Sequence, residues 1–267
     1  MSVKITLITI AVIFVLIIAL GSIGNVFGNR NVVEEACENG GNVALIKVHG
    51  SMVTYRENLD DKTVITSSEE ISDYINQINN IGRIKAIIID VDSFGGSPVA
   101  GEEIADAIKN SKKPTVALIR GAGDSAAYMA STGARKIYAT SFSEVGNIGV
   151  TMSYLDYSQQ NESGGVVYQE ISSGKFKDIA NPDKALTQEE RDLLIGYIDQ
   201  LNSSFIDLVS KNRNLDRKKT VEVADGSIMT AQEAKTKGLI DEVGNIDDVK
   251  AWLKSEFKIK ANICSVN

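Results

Sequence analysis

Three short apolar runs, at 42–49, 86–91 and 115–119, stop at glycine-bearing sequence, and each is followed by a segment of helical spacing. The middle run carries Ile87, Ile88 and Ile89 without interruption, the pattern of a strand covered on both faces. Helical spacing appears at 68–81 through Ile71, Ile75 and Ile78, and at 98–110 through Ile104 and Ile108 behind Pro98. A short helix at 125–132 and strands at 136–139 and 166–171 continue the alternation. Strands recurring with helices between them predict an α/β fold built on a largely parallel sheet. A long amphipathic helix at 186–211 follows, with Leu193, Leu194, Ile198, Leu201, Phe205 and Leu208 on one side as a core or oligomer face. Glu69-Glu70 behind Ser67-Ser68, and Glu189-Glu190 behind Thr187, read as charges at helix starts rather than acid/base pairs.

Ahead of this domain, residues 5–27 carry no charge. At about 1.5 Å per helical residue, such a run crosses a hydrocarbon core of roughly 30 Å. Lys4 precedes it, whereas Glu34, Glu35 and Glu38 follow, so the predicted topology is a cytoplasmic N-terminus at 1–4, an anchor at 5–27, a linker at 28–41 and an outside domain at 42–267. The rival reading is a cleaved signal peptide ending near Ala19-Leu20-Gly21. Both readings export the domain.

Composition narrows the chemistry. A net charge of −7 leaves no basic face for nucleic acid. Cys37 and Cys264 have no partner at zinc spacing, and although export permits a bond between them, two free thiols are the expectation. His49 is the single histidine, so an ordinary Ser-His-Asp triad has one candidate base; its place at a strand end beside Gly50 reads as a hydrogen-bonded structural residue.

Two glycine-bearing segments, Asp92-Ser93-Phe94-Gly95-Gly96 and Gly121-Ala122-Gly123-Asp124-Ser125-Ala126, lie at strand C-terminal ends, where open α/β sheets build their sites. Both also read simply as tight turns. Ser125 at a helix start is a candidate nucleophile, and Gly95 or Gly96 a candidate source of an oxyanion amide. Without histidine the base is a lysine, and Gly174-Lys175-Phe176-Lys177-Asp178 offers two. The second glycine segment also fits a dinucleotide-binding pattern with Glu144 as the ribose acid, which makes an oxidoreductase the rival enzyme class.

The ordered set of these segments with Val145-Gly-Asn-Ile-Gly-Val150, Ala224-Asp-Gly226 and Gln232-Glu-Ala-Lys-Thr-Lys-Gly-Leu-Ile-Asp241 resembles the signal peptide peptidase A family. These are the Ser/Lys-dyad serine proteases of peptidase family S49, with a fold related to Clp protease and the crotonases. The resemblance implies an α/β, ClpP/crotonase-like fold of repeated β-β-α units behind one transmembrane helix. It implies Ser125 as nucleophile with Tyr128 in the tyrosine slot, Lys177, neutral when buried, as general base, and the amides of Gly96, Gly95 and Ala126 as oxyanion hole. Asn147 stands at the lysine-positioning site, where the family has serine; Phe94 replaces the family's proline, and Asp124 replaces a small residue. Neither metal nor cofactor is implied. The implied partners are hydrophobic peptides, such as signal-peptide remnants and misfolded proteins, and further copies in a ring whose sites borrow from neighbouring subunits. The alternative is an inactive homologue acting as a membrane-anchored assembly protein.

Overall fold

The computed structural model describes residues 32–56 and 63–266. The expected anchor at 5–27 and the N-terminus before it lie outside the described residues; among the described residues, no helix is long and apolar enough to cross a membrane.

The apolar runs form the middle of an eight-stranded sheet. Its path is β10 (Ile263–Val266), β1 (Val43–His49), β4 (Ala86–Ser93), β5 (Thr115–Asp124), β6 (Lys136–Ala139) and β9 (Glu242–Val243), parallel throughout. At the end of β5, β7 (Glu144–Gly146) pairs in parallel and then takes β8 (Ile228–Thr230) antiparallel, so the sheet is mixed. β2 (Ser51–Val53) and β3 (Ile65–Ser67) form a separate parallel pair beside the end of β1.

Both faces of β4 are buried, as the isoleucine run requires. Ile87, Ile89 and Val91 face α2 (Ser68–Asn80), α3 (Pro98–Lys109) and α4 (Ala126–Ser131), where Ile75, Ile78, Ile104 and Ala127 complete one core. Ile88 faces the other way, with Val43, Val116 and Leu118, onto Val249 and Leu253 of α9 (Ile246–Phe257). Ser67 caps α2 by accepting from the Glu70 amide, and Thr187 and Glu190 form a reciprocal capping box at the start of α6 (Gln188–Arg213).

Several sequence expectations are corrected. Residues 121–124, read as a turn, continue β5, and 122–124 pair with β7. The glycines serve packing there: a Cβ on Gly121 would sit 2.1 Å from Asp92 Oδ1, and one on Gly123 2.6 Å from Ile119 Cδ1. With no glycine turn between strand and helix, the dinucleotide reading loses its phosphate loop. Residues 166–171, expected as a strand, have no strand partner and stand exposed, Ile171 at 98%. They belong to an arm at 150–187 whose regular structure is α5 (Ser158–Ser163). Only the second half of the α6 apolar stripe is core: Phe205, Ile206 and Val209 are buried, whereas Leu193 is exposed.

The two cysteines are joined, Cys37 to Cys264, and not free. Edge strand β10 lies beside β1, and residues 32–41, read as a linker, carry α1 (Val32–Ala36), whose Val33 is buried in the main core. The two ends therefore meet across a sequence separation of 227 residues.

Candidate active site

β4 ends at Ser93, and Phe94-Gly95-Gly96-Ser97 then leads into α3, with Pro98 in its first turn. Ser93 Oγ donates to the Gly50 carbonyl at 2.6 Å and accepts from the Gly95 amide at 3.0 Å. Met52 clamps the same loop from the other side: its amide donates to the Gly95 carbonyl at 3.0 Å, and its carbonyl accepts from the Ser97 amide at 2.9 Å. Glycine is required twice. Gly95 has φ +99° and Gly96 φ +152°, and a Cβ on Gly96 would lie 2.3 Å from the Met52 carbonyl oxygen. The clamp decides which amide is free. Gly95 spends its N–H on Ser93, which removes it as the expected second oxyanion donor, while Gly96 N–H has no protein acceptor among the described residues.

Opposite this loop, β5 runs through Asp124 into Ser125, which adopts φ 52° and ψ −123°, a strained conformation for a residue with a side chain. It is held from both sides. Its amide donates to the Gly146 carbonyl at 2.9 Å, and its carbonyl accepts from the Met129 amide at 2.9 Å. Behind it α4 is wholly buried, with the Tyr128 hydroxyl donating to the Leu239 carbonyl at 2.8 Å and a Cβ on Gly101 of α3 leaving only 2.8 Å to the Ala126 carbonyl oxygen. Such a strand-to-helix elbow pushes a hydroxyl outward. Ser125 Oγ has no protein partner among the described residues, and Ala126, first in the helix, has no intrahelical acceptor for its N–H.

Ser125, Ala126, Gly96 and Asn147 line one cavity of about 600 Å³, bounded on its far side by Ile198, Asp199, Asn202 and Phe205 of α6 and by the turn 224–226. Asn147 is fixed at φ +48° by its amide, which donates to the Ser227 carbonyl at 2.9 Å. Asp124 is 1% exposed, and its Oδ1 has no hydrogen-bond partner among the described residues. Burial, with a smaller push from the Glu144 charge, raises its carboxyl to about 6.

Lys177 is not brought to Ser125. It lies in the exposed arm, its amide bonded to the Gly174 carbonyl at 2.9 Å, and it does not line the cavity, so the expected burial of this lysine is absent from the protomer. Lys184 anchors the arm instead, 2.7 Å from Glu170 and 3.1 Å from Glu190. Its bond to Glu170 leads the effects that raise its pKa, and it holds its proton.

His49 stands at the end of β1 as expected, but its buried Nε2 makes no hydrogen bond among the described residues and only approaches Asp90. Nε2 is 3.3 Å from Asp90 Oδ2, and Arg120 holds the same carboxylate at 2.5 and 2.8 Å. Asp90 shares the sheet face of Ile88, opposite to Ile89 and Val91, and His49 does not line the cavity. Among the described residues no group of three or more His, Cys, Asp or Glu could hold a metal ion. The sequence assigns no role to Ser93, although it stands inside the Asp92–Gly96 segment, nor to Asp199, which follows Ile198 of the α6 stripe without belonging to it.

Known proteins resemble this chain in sequence and in fold. A protein from Methanocaldococcus jannaschii described as putative protease MJ0651 is 35% identical over 180 residues, 66% of this chain and 58% of that protein. A putative signal peptide peptidase SppA from Enterococcus faecium is 29% identical over 240 residues, 87% of this chain and 70% of that protein. In fold, the chain is similar to a mutant ClpP1 from Listeria monocytogenes, with a TM-score of 0.51 and 16% identity over 82% of this chain and 99% of that one. The sequence model of peptidase family S49 matches residues 107–260. That match covers more than half the chain and includes the Ser125 elbow, so the chain belongs to peptidase family S49, the serine peptidases of the signal peptide peptidase A kind.

Proposed function

We propose that this chain is a membrane-anchored serine endopeptidase with Ser125 as nucleophile and Lys177 as base, cleaving hydrophobic peptides such as signal-peptide remnants outside the cytoplasm. The observation that carries it is the strained Ser125 elbow, which opens into a cavity beside the free amides of Gly96 and Ala126. In the reaction Ser125 Oγ bonds to the substrate carbonyl carbon as its proton passes to Lys177 Nζ. The oxyanion is held by the Gly96 and Ala126 amides, the C–N bond breaks, and the amine leaves with the lysine's proton. Water then bonds to the acyl carbon as its proton passes to the same lysine, the ester C–O bond breaks, Ser125 Oγ takes that proton back, and the acid leaves.

Lys177 reaches the site when the arm packs in an assembled ring. The exposed Leu155, Val166, Val167 and Ile171 support that packing, because a lone protomer leaves them wet. The uncharged run at 5–27 supports the anchor, and the Cys37–Cys264 bond supports an oxidising compartment.

The test is hydrolysis of a quenched apolar peptide by the full chain across pH 6 to 10, beside Ser125→Ala and Lys177→Ala. Cleavage by the unsubstituted protein alone, rising on one ionisation, bears the dyad out. A second reading, a silent assembly protein, is favoured by the position of Lys177 outside the cavity. It gains if all three proteins are inactive while folded and oligomeric.

A further inference from the structure

The cavity before Ser125 is not uniformly apolar. Met129, Ile198 and Phe205 give it greasy walls, but Asp199 on α6 and Asp225 on the facing turn both line it, and no lysine or arginine does. Asn202, one turn beyond Ile198 on the same helix face, contributes an Oδ1 that is buried and accepts no hydrogen bond among the described residues. That oxygen is closed off from the open space, so the acceptors the cavity offers an occupant are the carboxylates of Asp199 and Asp225.

Neither carboxylate takes part in a salt bridge among the described residues. Asp225 accepts from the Ser227 amide at 2.9 Å, and the Ser227 hydroxyl and amide hold its carboxyl below the usual range. Lys237 is the nearby cation, but it is spent on Glu233 at 3.0 Å and lies outside the lining. Asp199 has no ion-pair partner among the described residues. The chain as a whole carries −7, so the background potential adds to the local one.

We infer that this cavity selects a substrate residue with a long cationic side chain, lysine or arginine, whose methylene stem lies against Met129, Ile198 and Phe205 and whose charge and N–H donors meet Asp199 and Asp225. The inference rests on the reading of Ser125 as the reacting residue, since that makes the cavity a substrate site. Acidic side chains are rejected by the same two carboxylates, and neutral apolar ones fill the walls while forfeiting the far end.

The test separates selectivity from turnover. The full chain carrying Ser125→Ala, in non-ionic detergent, is titrated with labelled alanine-rich peptides that differ at one scanned position as lysine, arginine, norleucine or glutamate, with binding read by fluorescence polarisation. The expected result is a preference of about five- to tenfold for lysine or arginine over norleucine at about 20 mM salt, shrinking at about 500 mM. Asp199→Asn with Asp225→Asn abolishes it; both carboxylates are exposed, so the fold survives the change. Charge-blind binding, norleucine preferred in both backgrounds, or no peptide bound at all overturns the inference. Cleavage of the norleucine peptide by the unsubstituted protein, lost in Ser125→Ala, tests the serine reading by itself. Charge-selective binding without any cleavage would sink that reading and leave the cavity's selectivity standing.

Discussion

Ser93 Oγ lies 3.0 Å from the Gly95 amide nitrogen and takes its N–H, so that the hydroxyl ties the glycine loop to the Gly50 carbonyl 2.6 Å away. One buried side chain thus decides that Gly96, and not Gly95, presents a free amide beside Ser125. Ser93→Ala removes the tie and leaves two buried backbone groups unpaired. The expected outcome in a peptide-hydrolysis assay is a fall in kcat of about ten- to hundredfold with KM little changed, because a looser loop weakens oxyanion binding more than ground-state binding. Ser93→Thr keeps the hydroxyl and recovers most of the rate. Equal loss in kcat and in substrate affinity would point to general unfolding of the loop.

Asp124 gives the protein a built-in sensitivity to pH. Burial, then the Glu144 charge, raises its carboxyl to about 6, above the roughly 3.9 of an unfolded aspartate. Between those values the folded state keeps a proton that the unfolded state releases, so stability is undiminished below about pH 4 and declines as pH rises through 6. Asp124→Asn should therefore melt higher than the unsubstituted protein at pH 8, by several degrees, and within about a degree of it at pH 4. A difference that does not vary with pH would mean that the carboxyl is not the cause.

The Cys37–Cys264 bond fastens the end of α1 to edge strand β10, which among the described residues pairs with β1 alone. Closing so long a loop is worth typically about 2–4 kcal/mol. Cys264→Ser should lower the melting temperature and expose both ends to limited proteolysis before the central strands open. Cleavage starting elsewhere, or an unchanged melting temperature, would show that the bond is idle.

What could be read from the chain, and what could not, follows from how far apart the deciding contacts lie. Strands β1, β4 and β6 and helices α2 and α3 were legible because their burial is written locally, as isoleucine runs and three-four spacing. Gly121 and Gly123 looked like turn residues because sequence cannot distinguish a glycine that bends the chain from one that makes room, and the room is made for Asp92 and Ile119. The disulfide was hidden because only the pairing of β10 with β1 brings its halves together. Residues 166–171 have the β-branched pattern of a strand but no neighbour to pair with. At the site, Ser125, Gly96, Ala126 and Asn147 converge, whereas Lys177 was nominated by resemblance and its separation by the arm leaves no local trace.

That separation can be tested at a residue with nothing to lose in the protomer. Ile171 is 98% exposed, so Ile171→Asp removes no intramolecular packing and should leave the melting temperature of an isolated subunit unchanged. If the arm packs onto a neighbouring copy and carries Lys177 to Ser125, the buried aspartate instead breaks the interface. Light scattering should then report a smaller particle, and peptide hydrolysis should fall by at least about tenfold, both recovered in Ile171→Val, which keeps the apolar surface. Unchanged mass and rate in Ile171→Asp would free the arm from assembly and remove the neighbouring copy as the route that brings Lys177 to Ser125.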